Sequence, residues 1–197
     1  MALNAHYDSG AGGPGASDCG GCVAALLETV RALRSASLLR NDVVFVFTDG
    51  EENGDLGAAA FAQQHPLMRD VDAVLNWETV GSHGPSILTS SNSSSLVRST
   101  IEAAPSARVY SVLPSLFRGA LGAQQLATDT QEYMDRGAAG VQFTYLRGTT
   151  DYHTRLDNVD RLDRGSLQMH GDYGVSVARN LGGKALKRDL GDRSADP

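Results

Sequence analysis

Three short apolar runs constrain this chain most: Asp42-Val-Val-Phe-Val-Phe-Thr48, Ala73-Val-Leu-Asn-Trp77 and Gly140-Val-Gln-Phe-Thr-Tyr145. Rich in β-branched and aromatic residues and too brief for helices, they read as strands buried on both faces. The segments between them have helical spacing. Cys22, Val23, Leu26, Leu27, Val30 and Leu33 follow a glycine-rich loop from Ser9 to Gly21, and Leu56 to Gln64 forms a second helix stopped by His65-Pro66. Further helices are predicted at Leu96 to Ala103, about Thr130 to Arg136, and Arg161 to Leu181, with a short strand at Ser86 to Thr89. Residues 105–128 carry the weakest pattern. Strands alternating with helices require crossover connections, so the fold class is α/β: a mostly parallel, mixed sheet with helices on both faces. In such folds ligand chemistry gathers at the carboxyl ends of the strands.

Composition narrows the function classes. A length of 197 residues suits a single domain, read as 1–182 followed by a frayed tail at 183–197. The net charge of −6, with no Lys/Arg cluster to neutralise phosphates, excludes nucleic acid as a partner. No run approaches the roughly 18 apolar residues of a membrane span, and Met-Ala-Leu-Asn-Ala-His has neither the basic nor the apolar region of a secretory signal. The compartment therefore stays open. Cys19 and Cys22, in Cys-Gly-Gly-Cys, are too few and too close for a secreted disulfide framework.

Acid and imidazole groups stand where the strands end. His6 and Asp8 follow a short opening strand, Asp18 precedes the first helix, Glu51 and Glu52 follow the Val43 strand, and Glu78 follows the Ala73 strand. Asp151 and His153 follow the strand ending at Tyr145. Gathering so many carboxylates at one sheet edge costs several kcal/mol per charge unless cations neutralise them. Two imidazoles with several carboxylates suit Zn²⁺, with Co²⁺ or Mn²⁺ as substitutes.

Five ordered motifs give the chain a family resemblance: Ala5-His6-Tyr7-Asp8-Ser9, Gly15-Ala16-Ser17-Asp18, Phe47-Thr48-Asp49-Gly50-Glu51-Glu52, Leu75-Asn76-Trp77-Glu78, and Tyr152-His153-Thr154 with Asp157-Asn158. The chain resembles the co-catalytic zinc aminopeptidases of peptidase family M28, with their phosphorylase/hydrolase-like zinc exopeptidase architecture. The resemblance implies two zinc ions: His6 and Glu78 hold one, Glu52 and His153 the other, and Asp18 bridges them. It also implies that Asp8 orients His6 and that Glu51 is the general base. The implied reaction is metal-assisted hydrolysis of the N-terminal bond of a peptide substrate.

Cys19 stands where the family usually has Asp or Asn, and Asp55 where an apolar residue is commoner. The family carries roughly a hundred residues before the His-x-Asp strand, a domain size near the upper end of the usual range. The chain accordingly reads as lacking the N-terminal strands, whether as a fragment, through a misplaced gene start or as a genuinely reduced sheet. Missing strands imply an unpaired edge and uncovered apolar surface on Val43 to Phe47 and Ala73 to Trp77, hence aggregation or a homo-oligomer. Some relatives continue into membrane helices, so a longer parent chain is open.

Two enzymatic alternatives and one non-enzymatic alternative stand beside this reading. An M20-like metallo-carboxypeptidase or deacylase uses similar ligands but has a lid domain for which the chain has no room. A one-zinc glutaminyl cyclase is disfavoured by the full ligand set, and so is a non-catalytic M28-like binding module. His65, His83 and His170 have no partner motif and read as surface residues; Trp77 and Tyr145 read as core. Cys19 and Cys22 read as part of a loop near the metal site rather than a redox motif. Asp49, Asp129 and Asp151 are as well explained by solvated loops as by support of the site.

Overall fold

The computed structural model describes residues 1–104, 108–109 and 128–190. Most of the weakly patterned stretch 105–128 therefore lies outside the described residues. Among the described residues six strands form one sheet: β1 (Ala2–His6), β2 (Val44–Thr48), β3 (Ala73–Thr79), β4 (Ile87–Ser91), β5 (Arg108–Val109) and β6 (Ala139–Tyr145), in the order β2-β1-β3-β6-β4-β5. β4 and β6 pair antiparallel, and every other pair is parallel, which makes the sheet mixed and mostly parallel.

Alternation along the strands divides the core. On one face Leu3, Leu75 and Val141 lie in register, with Trp77 opposite Phe143. They pack on α1 (Cys22–Arg34) and α5 (Arg164–Gly182), with α3 (Ser94–Ala103) alongside. Removing these side chains from water is the main stabilising term, roughly 1.5–3 kcal/mol for each large one. α1 and α5 approach closely, since a Cβ on Gly174 would lie 2.4 Å from Thr29 Oγ1. The opposite face is covered by α2 (Leu56–Gln64) and α4 (Asp129–Asp135) around Val46, Val74, Ala58, Ala62 and Tyr133.

Several expectations change. β3 is interior, between β1 and β6, and all seven of its residues are buried, so Ala73 to Trp77 presents no uncovered apolar surface. β2 instead ends the sheet; Val44, Phe45 and Phe47 are half-buried rather than covered on both sides. The closing helix starts at Arg164 rather than Arg161, because the Asp163 carboxylate accepts the Ser166 N–H at 2.7 Å and caps it. The tail expected to fray from Gly183 forms a further turn of helix, α6 (Leu186–Asp189), and Leu186 and Leu190 are buried in the core. Residues 191–197 lie outside the described residues. His170, expected at the surface, is fully buried. Its Nδ1 lies 3.0 Å from Ser86 Oγ, its ring packs on Tyr145, and burial pushes its pKa down to about 3. A histidine on the inner face of a helix reads like a surface one when its neighbours in the fold are unknown.

Candidate metal centre

The sheet supplies the first half of the site. β1 and β3 pair with Asn4 opposite Asn76, so two residues further along His6 and Glu78 emerge side by side. On the same face Gln142 lies opposite Asn76, and Thr144 opposite Glu78. The polar row Asn4, Asn76 and Gln142 underlies the site inside otherwise apolar strands, and its bonding is specific. Asn4 Nδ2 donates to Asn76 Oδ1 (2.7 Å) and Asp129 Oδ2 (2.8 Å), while the Tyr133 hydroxyl donates to Asn4 Oδ1 (2.8 Å). The Thr48 hydroxyl also donates to Asp129. Asp129 is thus a buried junction beneath the sheet's carboxyl end, whereas Asp49 is exposed and Asp151 is paired with Arg161. A polar residue at the centre of a core strand was the signal for this network.

Loops supply the second half. Asp18 lies in the irregular turn Ala16–Gly21, where its N–H and that of Ser17 donate to the Asp157 carboxylate at 3.0 and 2.7 Å. The Asp157 carbonyl in turn accepts the Ala16 N–H at 3.1 Å. Asp157, only part of a motif in the sequence, therefore ties the Asp18 turn to the loop bearing His153. Glycine permits this approach: a Cβ on Gly12 or Gly13 would stand 2.3 or 2.2 Å from the carbonyl oxygen of His153 or Thr154. His153 has a left-handed backbone (φ 58°), uncommon for a non-glycine residue, and its ring stacks on Tyr152.

Asp18 faces both halves. Its Oδ1 is 3.4 Å from His6 Nε2, which is also 3.3 Å from Glu78 Oε1. Its Oδ2 is 3.1 Å from His153 Nε2, which is also 2.8 Å from Glu52 Oε2. The fold thus brings together His6, Asp18 and Glu78 as one group and Asp18, Glu52 and His153 as another, the ligand atoms within each lying within 4.8 Å of one another. Asp8 stands behind His6: its carbonyl oxygen is 3.0 Å and its Oδ1 3.4 Å from Nδ1. The same carboxylate accepts the N–H groups of Glu51 and Glu52 at 3.2 and 3.3 Å, so Asp8 holds the imidazole and the acidic turn together.

The donor set fits cations. Each Nε2 lies against two carboxylates, and one ring proton cannot point at both. Glu52 Oε1 and Glu78 Oε2 are buried without a hydrogen-bond partner, and the lysine and arginine ion pairs of the described residues lie elsewhere. With only the imidazoles to balance them, the carboxyls other than Asp18 resist ionisation. Burial, followed by Glu78, pushes Glu51 up to about 10, and burial, opposed by His6, pushes Glu78 up to about 7. Burial and then Asp18 raise Glu52 as well. Asp18 is the exception: burial opposes its charge, but hydrogen bonds from His153 and His6 lower it.

A profile of peptidase family M28 matches residues 1–178. The chain belongs to peptidase family M28. Curated relatives of this M28 chain include endoplasmic reticulum metallopeptidase 1 of Homo sapiens, 31% identical over 90% of the chain and 20% of that protein. A vacuolar membrane protease of Schizophyllum commune is 36% identical over 96% of the chain and 21% of that protein. The M28 chain thus spans about a fifth of the length of these relatives. Its fold is shared by a zinc aminopeptidase from Bacillus subtilis (TM-score 0.70, 22% identity, 96% of this chain and 48% of that one). It is shared also by an Acidobacteriales bacterium glutaminyl cyclase (TM-score 0.71, 23% identity, 92% of this chain and 68% of that one). Among the described residues no helix is long and apolar enough to cross a membrane.

Cys19 lies beside His6, Asp18 and Glu78, as its reading near the metal site expected, and its sulfur is joined to that of Cys22 in a disulfide. Both residues are fully buried.

Proposed function

We propose that this chain is a two-zinc aminopeptidase domain that removes the N-terminal residue of peptides. One observation carries the reading: the two oxygens of Asp18 face separate groups, His6 with Glu78 and His153 with Glu52. Two Zn²⁺ ions, or Co²⁺ or Mn²⁺ in their place, would be held by His6, Asp18 and Glu78 and by Asp18, Glu52 and His153. When bound they would polarise the scissile carbonyl and make the attacking water acidic near neutral pH.

The chain's own groups do the rest. Glu51 accepts a proton from the attacking water and delivers it to the leaving amine. Burial and the like charge of Glu78 hold the Glu51 proton, and once the charge on Glu78 is balanced that repulsion is relieved. Asp8 fixes the His6 ring through Nδ1 and anchors the backbone from which Glu51 projects. Full release of the free N-terminal residue from a panel of aminoacyl chromogenic substrates, with N-acetylated versions inert, is the expected result. Equal hydrolysis of blocked and free substrates would remove the exopeptidase assignment.

A further inference from the structure

The Cys19–Cys22 disulfide abuts the His6 half of the site. Cys19 follows Asp18 directly, and its Sγ lies within 4.8 Å of a ligand atom of each of His6, Asp18 and Glu78, making a buried four-residue group. Donors around a tetrahedral Zn²⁺ stand roughly 3.3–3.8 Å apart, given metal–ligand distances near 2.0–2.3 Å, so this sulfur needs only a small inward shift to join them. Within the disulfide it offers no thiolate. Cys22 does not share this position; it opens α1 and is not in the group.

We infer that the disulfide is a redox gate on this half of the metal centre: oxidised, it leaves His6, Asp18 and Glu78 as a three-donor site; reduced, it frees Cys19 as a fourth donor. The inference rests on the metal reading proposed above. The reductant is a dithiol. Its two electrons and two protons break the S–S bond and give two cysteine thiols, while the dithiol closes to its own disulfide. On ligation the Cys19 thiol passes its proton to solvent, and the thiolate joins the donor set. Three protein donors with a position left for water or substrate describe a catalytic zinc site, whereas four protein donors describe a closed, structural one. Reduction therefore binds metal more tightly at this half and removes the position that substrate needs.

Cobalt spectroscopy tests the inference apart from activity. Co²⁺ is added to the oxidised chain, to chain reduced with dithiothreitol and then desalted without oxygen, and to untreated Cys22→Ser and Cys19→Ser variants. A thiolate-to-cobalt charge-transfer band is expected in the reduced chain and in Cys22→Ser, and none in the oxidised chain or in Cys19→Ser. Competition with a chromophoric chelator should show at least ten-fold tighter cobalt binding in the two forms with the band. Visible cobalt bands with no charge-transfer band in Cys22→Ser, or a band that survives Cys19→Ser, would overturn the gate and leave the metal reading standing. No cobalt binding by any form would overturn both.

Discussion

The two halves of the candidate centre are built differently. His6 and Glu78 leave neighbouring parallel strands, and they are 1% and 4% exposed. His153 rides on a loop, its side chain is 40% exposed, and its position depends on stacking with Tyr152 and on the Asp157 strap. Sheet-borne ligands are placed by a hydrogen-bond ladder that many residues support, so they arrive preorganised. Loop-borne ligands are placed by a few local contacts and can open at smaller cost. Asp18 belongs to both, and the difference predicts a rigid half paired with one that can exchange.

The largest expected effect lies between the halves. Glu51→Gln should lower turnover by about 10²–10⁴-fold with metal content unchanged, since the amide keeps the shape and cannot take a proton. Glu52→Gln, in the loop-borne group, should instead lose close to one metal ion per chain. Elemental analysis beside a rate assay separates the two. Equal metal loss in both variants would break the division of labour between the adjacent acids.

Chelation should then distinguish the halves directly. A chelator titration followed by elemental analysis is expected to run in two phases, the ion at Glu52 and His153 leaving at about ten-fold or more lower chelator concentration. His153→Ala should abolish the first phase and keep the second. One phase for both ions would show that Asp18 couples the halves too tightly for the contrast to hold.

Asp157→Asn sharpens the comparison with a smaller effect. The carboxylate accepts two backbone N–H groups, and an amide oriented for one turns its own NH₂ toward the other. A loss of about 1–3 kcal/mol in stability is expected, with metal binding weakened at the His153 half before the His6 half. Denaturant melts and the same chelator titration measure both. Uniform weakening of the two ions would make Asp157 a support of the fold alone.

The smallest effect is at Asp55, at the start of α2 and outside both groups. Its backbone is left-handed (φ 56°), and its Oδ1 is buried without a partner. Burial, then Asp129 and Glu132, push its pKa up to about 6. A carboxyl raised in the folded state from 3.8 contributes fully below pH 3.8 and loses that contribution as pH rises through about 6. Asp55→Asn, which tolerates the same backbone, should therefore be more stable than the native chain above pH 6. The gap should close toward pH 4 in thermal melts. A gap independent of pH would mean that the charge is not its source.

The acid and imidazole groups of the candidate centre were legible because they sit at element ends. A strand that stops on His6 or Glu78 announces both the strand and the polar group at its carboxyl edge, so the α/β class and the groups needing cations followed from local pattern. The supporting residues were not legible in the same way. Asp157 acts on backbone N–H groups 139 and 140 residues away, and Asp129 on Asn4 from 125. His170 is buried because of which face of α5 meets the sheet, and β3 is covered while β2 is an edge because of strand order.

By itself, then, the sequence determined the elements, their alternation and the acid and imidazole groups at their ends, because these depend on neighbours a few residues apart. Only the tertiary structure decided that Asp18 faces two groups at once, that Asp157 joins the loops, and that Cys19 and Cys22 close a disulfide against His6 and Glu78. Those contacts join segments far apart in the chain. Their geometry comes into being only when burial of the two apolar sheet faces forces the loops together at one edge.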